Sequence, residues 1–266
     1  MRAWAWVGLM AWVGVAGPAL GQGSADQVPR STADVPLIAV EDDWPPFAWV
    51  PQPGAPVQGF AVAVVRRVFQ DAGVAVELRA VPFGRCMHEA RTGAVAACFN
   101  ALQTAENKSD YLWHGMPIFY EPLAIFARDT GAPARPVGRG DLAGHSVGYH
   151  QAYHYADWFT QDQAIRRVPA GSDLALLQML QRGRVDYVMF GASAGAWRLR
   201  TEATLRGARI RKVGEEPSGD GFWMAFSRQH PESPRLLQVF DRALRELQAS
   251  PAYRELQRQH LPGVVP

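Results

Sequence analysis

Three sets of residues in this sequence have the types and spacing that chemistry needs. Gly191-Ala192-Ser193-Ala194-Gly195 fits the G-x-S-x-G turn that presents a serine nucleophile between a strand and a helix. Asp220 or Asp241 and His230 or His260 supply the partners of a Ser–Asp–His order. No HGGG-type oxyanion segment precedes this turn, however, and small residues suit any tight strand-to-helix connection. His150 and His154 have the i,i+4 spacing of a metal pair, but no third ligand is evident and their segment reads as a loop. The third set is polar and scattered along the first half of the chain. Glu41 is either a ligand acceptor or a solvated loop carboxylate. Arg85 either clamps an anion or pairs with Glu89 at i,i+4 on a helix face. Asn100, Thr104 and Asn107 lie near one strand end, where backbone and side-chain donors would meet a ligand. This third set favours binding over catalysis, and no metal or other cofactor is expected.

The elements that must position these residues alternate between strand and helix. Val35–Val40 is a short apolar run stopped by Glu-Asp-Asp and Pro-Pro, so it reads as a buried strand entering a loop. Helical spacing over Gly59–Ala72 is followed by a strand over Val74–Val81, a short helix over Gly84–Arg91 and a strand over Ala94–Ala101. This βαβαβ order predicts a mostly parallel sheet covered by helices. After Pro117 the pattern restarts. Strands are expected at Leu123–Ala127, Ser146–Tyr149, Val185–Phe190 and Ile210–Val213, with helices at Asp173–Arg182 and Ser193–Leu205. An apolar strand, Phe222–Phe226, and two helices, Ser233–Gln248 and Pro251–Gln259, end the chain. The last unit returns to the first, so the expected fold is α/β and two-lobed, with two crossing strands. Lobe one is placed at 35–120 plus 221–266, and lobe two at 121–220. Ligands in such sheets bind outside the carboxyl ends of the strands, and here those ends face each other across a cleft.

Composition narrows the function. At 48% hydrophobic and 20% charged the chain is ordinary for a globular protein. Its formal charge of +2 lacks the basic stripe that a nucleic-acid partner demands. The N-terminus begins with Arg2, runs apolar from Ala3 to about Leu20 and ends in Ala19-Leu20-Gly21. Those are the parts of a cleaved signal peptide over residues 1–21, which places the mature chain in the periplasm. No cysteine follows the apolar run to take a lipid anchor. Two cysteines in an exported chain allow one disulfide or two thiols. Cys86 opens a helix and Cys98 lies in the strand after it, so the two elements pack together, either bridged or as buried thiols.

Several segments, in order, resemble the family 3 extracellular solute-binding proteins, the receptors that feed polar-amino-acid-type ABC importers. They are Val40 to Phe47 with Gln58-Gly59-Phe60, Thr92-Gly93-Ala94-Val95, Thr104-Ala105-Glu106, Met116-Pro117-Ile118-Phe119, Leu180 to Tyr187, and Ala243-Leu244 through Tyr253. Pro82-Phe83-Gly84-Arg85-Cys86 further resembles a subgroup with a Pro-aromatic-basic-Arg-Cys run. The resemblance implies the type II periplasmic binding protein fold and a monomer that captures a small polar molecule for an inner-membrane permease. The strand ends of lobe one offer Glu41, Phe83, Arg85, Asn100, Thr104 and Asn107 as ligand contacts; the resemblance adds Trp44, as an aromatic platform or a core residue packed by Pro45 and Pro46, and a ligand-facing turn with Gln151 and Tyr153. Two family positions depart from the pattern. The Arg that clamps an α-carboxylate is Asn107 here, with Lys108 one residue off, and the Asp that holds an α-ammonium falls on Gly191. A free α-amino acid is therefore not assured as ligand, and an enzyme of dehydratase type on the same fold is the alternative.

Overall fold

The computed structural model describes residues 35–131, 135–216 and 221–261. The signal peptide expected over 1–21, and Asp220, lie outside those residues. Twelve strands and seven α-helices follow one another in the described chain. The first group is β1 (Leu37–Glu41), β2 (Asp43–Trp44), β3 (Ala48–Trp49), α1 (Phe60–Asp71), β4 (Glu77–Val81), α2 (Phe83–Thr92), β5 (Ala97–Ala101) and β6 (Tyr111–Trp113). The second is β7 (Leu123–Arg128), β8 (Ser146–His150), α3 (Asp157–Thr160), β9 (Arg166–Ala170), α4 (Asp173–Gln181), β10 (Tyr187–Gly191), α5 (Ala192–Thr201) and β11 (Ile210–Glu216). Then come β12 (Trp223–Ser227), α6 (Ser233–Ala249) and α7 (Pro251–His260).

Two five-stranded sheets result. One runs β4-β1-β5-β12-β6 and the other β11-β7-β10-β8-β9. In the first, β1 pairs parallel with β4 and β5, and β12 pairs antiparallel with β5 and β6. In the second, β8 pairs parallel with β9 and β10, and β7 is antiparallel to β10 and β11. The expected two-lobed α/β fold is therefore present, and β12 is the strand that returns to the first sheet. The chain leaves the first sheet through residues 114–122 and re-enters it at β12 through Gly221 and Phe222. These crossings pair with each other: the Ile118 N–H donates to the Phe222 carbonyl at 2.7 Å and the Phe222 N–H to the Phe119 carbonyl at 2.8 Å.

Local chemistry explains most boundaries. On α1 the apolar residues Phe60, Val64, Val65, Val68 and Phe69 recur at helical spacing and are buried. Helix α2 stops at Gly93, whose φ of 82° suits a left-handed cap. Ser172 caps α4 by accepting from the Ala175 N–H, and Phe240, Leu244 and Leu247 of α6 turn into the core. Gly59 has φ 130°, and a Cβ there would lie 2.3 Å from the Phe47 carbonyl oxygen, so no other residue fits the Gln58-Gly59-Phe60 corner.

Four elements were not anticipated. Strand β9 carries Arg166, Arg167 and Pro169, which read as loop; it lies at a sheet edge, where a missing N–H costs no ladder bond. Strand β6 and the β2/β3 hairpin have three and two residues per strand, below the length at which alternation shows, and α3 is a single turn. Among the described residues no helix is long and apolar enough to cross a membrane.

Cys86 and Cys98 are joined by a disulfide, with their Cα atoms 5.6 Å apart. The bridge ties α2 to β5 of the first sheet, in a small core cluster that also holds Ala39 of β1, Val81 of β4 and Ala225 of β12. Closing a loop of this length should stabilise the fold by about 3 kcal/mol, chiefly through the unfolded chain. Mass spectrometry of unreduced protein is expected to find no thiol, and Cys86→Ala with Cys98→Ala to lower the denaturant midpoint accordingly. Two thiols in the native chain would contradict the bridge.

Candidate functional site

The carboxyl ends of β1 and β5 lie side by side, since Val40 pairs with Phe99. The next residue on each strand, Glu41 and Asn100, therefore stands at the same sheet edge. Asn100 is an extra residue in β5: Trp223 pairs with Ala101 and Met224 with Phe99. A bulge of this kind takes a left-handed residue, and Asn100 has φ 70°, a conformation that asparagine tolerates better than other side-chain-bearing residues. It is 3% exposed, and neither its Oδ1 nor its Nδ2 has a hydrogen-bond partner in the protein.

Trp44 follows in the β2/β3 hairpin, after which a cis peptide bond joins Pro45 to Pro46. Its ring packs on Phe47 at 4.5 Å, Phe222 at 4.8 Å and Phe119 at 5.9 Å between centroids, and Phe119 and Phe222 are themselves stacked. Trp44 is thus a core residue on three sides. On another it meets Tyr153 of the second lobe edge-on at 6.3 Å, and its Nε1 is buried without an acceptor. Tyr153 lies flat on His150 and donates from its hydroxyl to Glu41 Oε1 at 3.2 Å. A second link spans the lobes nearby: Arg198 of α5 donates from Nη2 to Asp43 Oδ1 at 2.5 Å and from Nη1 to Glu202 Oε1 at 2.7 Å. Trp49 and Trp197 add a ring contact across the same seam at 5.4 Å.

Asp173 completes this seam. It is the first residue of α4, where a carboxylate ordinarily serves the helix dipole at the surface. Here it is 2% exposed, and neither oxygen has a hydrogen-bond partner. Burial pushes its carboxyl up to about 7, with Asp43 adding to the shift and the Arg198 charge opposing it. Burial likewise pushes Glu41 up to about 8, helped by the charges of Asp173, Asp43 and Asp42 and opposed by the Tyr153 hydrogen bond. Burial lowers His150 from its ordinary value, so the imidazole beside Tyr153 is held neutral.

Of the residues expected at the site, Glu41, Trp44 and Tyr153 meet, and Asn100 stands on the strand next to Glu41. The others lie elsewhere. Arg85 is a correction: its side chain is 65% exposed and donates to Glu89 Oε1 at 2.8 Å, with Arg79 on the other oxygen. A surface ion pair of three members already satisfies it. Phe83 packs with the core cluster around the disulfide instead of the cluster holding Trp44. Asn107 is folded into its own turn, with Oδ1 accepting from the Thr104 N–H and Nδ2 donating to the Leu102 carbonyl. Thr104 accepts from the Asn107 N–H and, with Gln103, Lys108, Tyr120 and Trp223, lines an open groove of about 440 Å³. Gln151 is exposed and is held by its backbone to Ala170.

Asp173 and Glu121 were missed. Ser172-Asp173 reads as an ordinary capped helix start, which hides the burial. Glu121, at the crossing before β7, accepts from the Ser193 N–H, the Ser193 hydroxyl and the Ala194 N–H, and so caps α5 from a distance. A Cβ at Gly191 would lie 2.8 Å from Glu121 Oε1, so Glu121 explains why this position is glycine. The same contact gives Ser193 a structural partner: it is 3% exposed, while Nδ1 of His230 accepts from the Glu232 N–H in another turn. A fluorophosphonate probe is expected to leave Ser193 unlabelled; labelling lost in Ser193→Ala would restore the nucleophile.

The profile of one family matches residues 37–263 of this sequence. The chain belongs to the bacterial extracellular solute-binding proteins, family 3. Solved structures similar to this solute-binding protein include an ancestral arginine-binding protein bound to arginine, at TM-score 0.71 and 20% identity over 85% of this chain and 97% of that one. An arginine transport periplasmic binding protein from Legionella pneumophila gives 0.71 at 17% identity over 85% and 99%. A histidine kinase sensor domain with similarity to periplasmic binding proteins gives 0.72 at 19% over 86% and 96%. At these identities the likeness establishes the fold. The curated proteins give no match.

A closing motion that buried Glu41 and Asp173 would take up protons. A carboxyl whose pKa is raised in the closed state favours closure below its ordinary value, and that advantage is lost as pH rises through about 7 for Asp173 and about 8 for Glu41. The slope reaches at most about 1.4 kcal/mol per pH unit for each proton taken up. Without ligand the lobes are expected to be shut near pH 5 and to open as pH passes these values, seen as a larger radius of gyration in small-angle scattering. Glu41→Gln should flatten the transition. A radius independent of pH in the unsubstituted chain would refute the linkage.

Proposed function

We propose that this solute-binding protein is exported to the periplasm, captures a small polar solute between its lobes and presents the closed form to an ABC permease in the inner membrane. In this reading lobe one comprises 35–120 and 221–266, lobe two comprises 121–220, and the chain works as a monomer. The observation that carries the proposal is the seam itself. Tyr153 reaches Glu41 and Arg198 reaches Asp43 from the opposite lobe, beside polar atoms of Trp44, Asn100 and Asp173 that the protein leaves unpartnered. Buried polar groups are nearly always hydrogen-bonded in folded proteins, so such atoms gathered at a closing seam support ligand contact. A solute that touches both lobes would favour the closed state by its differential affinity.

The arginine-binding titles of similar structures support an amino-acid-like or related organic solute. The enzymatic alternatives lack comparable support, since Ser193 is committed to Glu121.

Thermal-shift screening against amino acids, organic acids, opines and polyamines tests the proposal. A bound solute at a hundred times its Kd should add about 2.7 kcal/mol of stability. Trp44→Ala should then weaken binding at least about tenfold, about 1.4 kcal/mol, while Arg85→Ala, already satisfied by Glu89, should change affinity less than about twofold. A panel without any shift, or Trp44→Ala binding as tightly as the unsubstituted chain, would overturn it.

A further inference from the structure

We infer that the cleft is built for an organic cation: an ammonium or guanidinium group seated between Glu41 and Asp173 against the Trp44 and Tyr153 rings, in a ligand that needs no carboxylate. The inference rests on the binding reading above and names the chemistry of that same site.

The charge inventory of the seam is one-sided. Glu41 and Asp173 come from opposite lobes, are 7% and 2% exposed, and act on each other electrostatically. Asp42 and Asp43 add negative charge to Glu41. Among the described residues, Arg198 is the cation whose charge reaches Asp173, and its Nη atoms are engaged by Asp43 and Glu202. Tyr155 is also nearby, but its hydroxyl donates to the Met189 carbonyl and leaves Asp173 unbonded. Ionising a buried carboxyl without a bonded cation is costly, and among the described residues no guanidinium or ammonium is bonded to Glu41 or Asp173. An incoming cation supplies the missing charge and the missing donors, and aromatic faces beside it add cation–π attraction.

The other half of an amino acid finds no counterpart. Asn107 is turned into its own loop, Arg85 is bound to Glu89 at the surface, and His150 is held neutral. Among the described residues the cation at this seam is Arg198, whose two Nη atoms are taken by Asp43 and Glu202, so only its Nε is left unbonded and no two-pronged guanidinium contact is offered to a carboxylate. The protonation of Glu41 and Asp173 adds a signature: a cation must displace their protons, so its affinity should rise with pH as the two carboxyls ionise.

Titration calorimetry of the full chain with agmatine, arginine and glutarate tests this, since the first two share a guanidinium and differ by the carboxylate. Agmatine is expected to bind at least as tightly as arginine. Glu41→Gln and Asp173→Asn should each weaken it at least tenfold, and lowering pH from 8 to 6 should weaken it in the unsubstituted chain. The pH series needs no variant and stands even if one of them fails to fold. Agmatine binding tenfold or more weaker than arginine, glutarate binding preferred over both, or cation binding insensitive to both variants and to pH would each overturn the inference while leaving the solute-binding reading in place. If neither cation binds but another solute of the screening panel does, the cation assignment falls alone; if no solute binds, both fall together.

Discussion

The stack of Phe119 on Phe222 holds together the two segments by which the chain passes between its sheets. Each ring belongs to one of the two crossing segments, and the backbones pair as well, at Ile118, Phe119 and Phe222. Stacked rings joined by short backbone hydrogen bonds resist shear, and in the proposed closure they would serve as the pivot. Phe47 lies parallel to Phe119 at 4.5 Å, and Trp44 leans on both crossings. The aromatic edge of the cleft is therefore an extension of the hinge. Whatever sits against Trp44 is in mechanical contact with the segments that set the lobe angle.

In the proposed closure the carboxylates would leave the shut seam poised instead of locked. Packing of Trp49 on Trp197 and the Asp43–Arg198 pair favour closure. Burial of Glu41 and Asp173 opposes it, because each loses water and gains no bonded cation from the protein. Protons relieve the conflict at low pH and a cation would relieve it at high pH. A cleft lined only with apolar groups would close without a ligand and signal nothing.

Glu121 shows how one side chain can set a position far away in sequence. Its carboxylate reaches over Gly191 to the first N–H groups of α5, using the anion preference of a helix N-terminus. Any side chain at 191 would meet it. The glycine at 191 and the glutamate seventy residues earlier form one structural fact, visible only when β7 and β10 are placed side by side.

What the sequence determined by itself is what depends on short-range periodicity and on ordered motifs: the alternating elements of both sheets, the capped helices, the return of β12, and the family. That Glu41, Trp44 and Tyr153 lie near strand ends was also legible, while their meeting across the two sheets was not. Elements shorter than a pattern, such as β6 and the β2/β3 hairpin, were not, nor was an edge strand whose proline and arginines resemble a loop. The tertiary structure alone decided which charges are paired. Arg85 and Asp173 look equivalent in one dimension, each polar and near the start of a helix. Arg85 lies at the surface beside Glu89, whereas Asp173 lies under the closing lobes with no partner. The difference is desolvation, which depends on what packs above a residue from distant parts of the chain and leaves no mark on its neighbours in sequence.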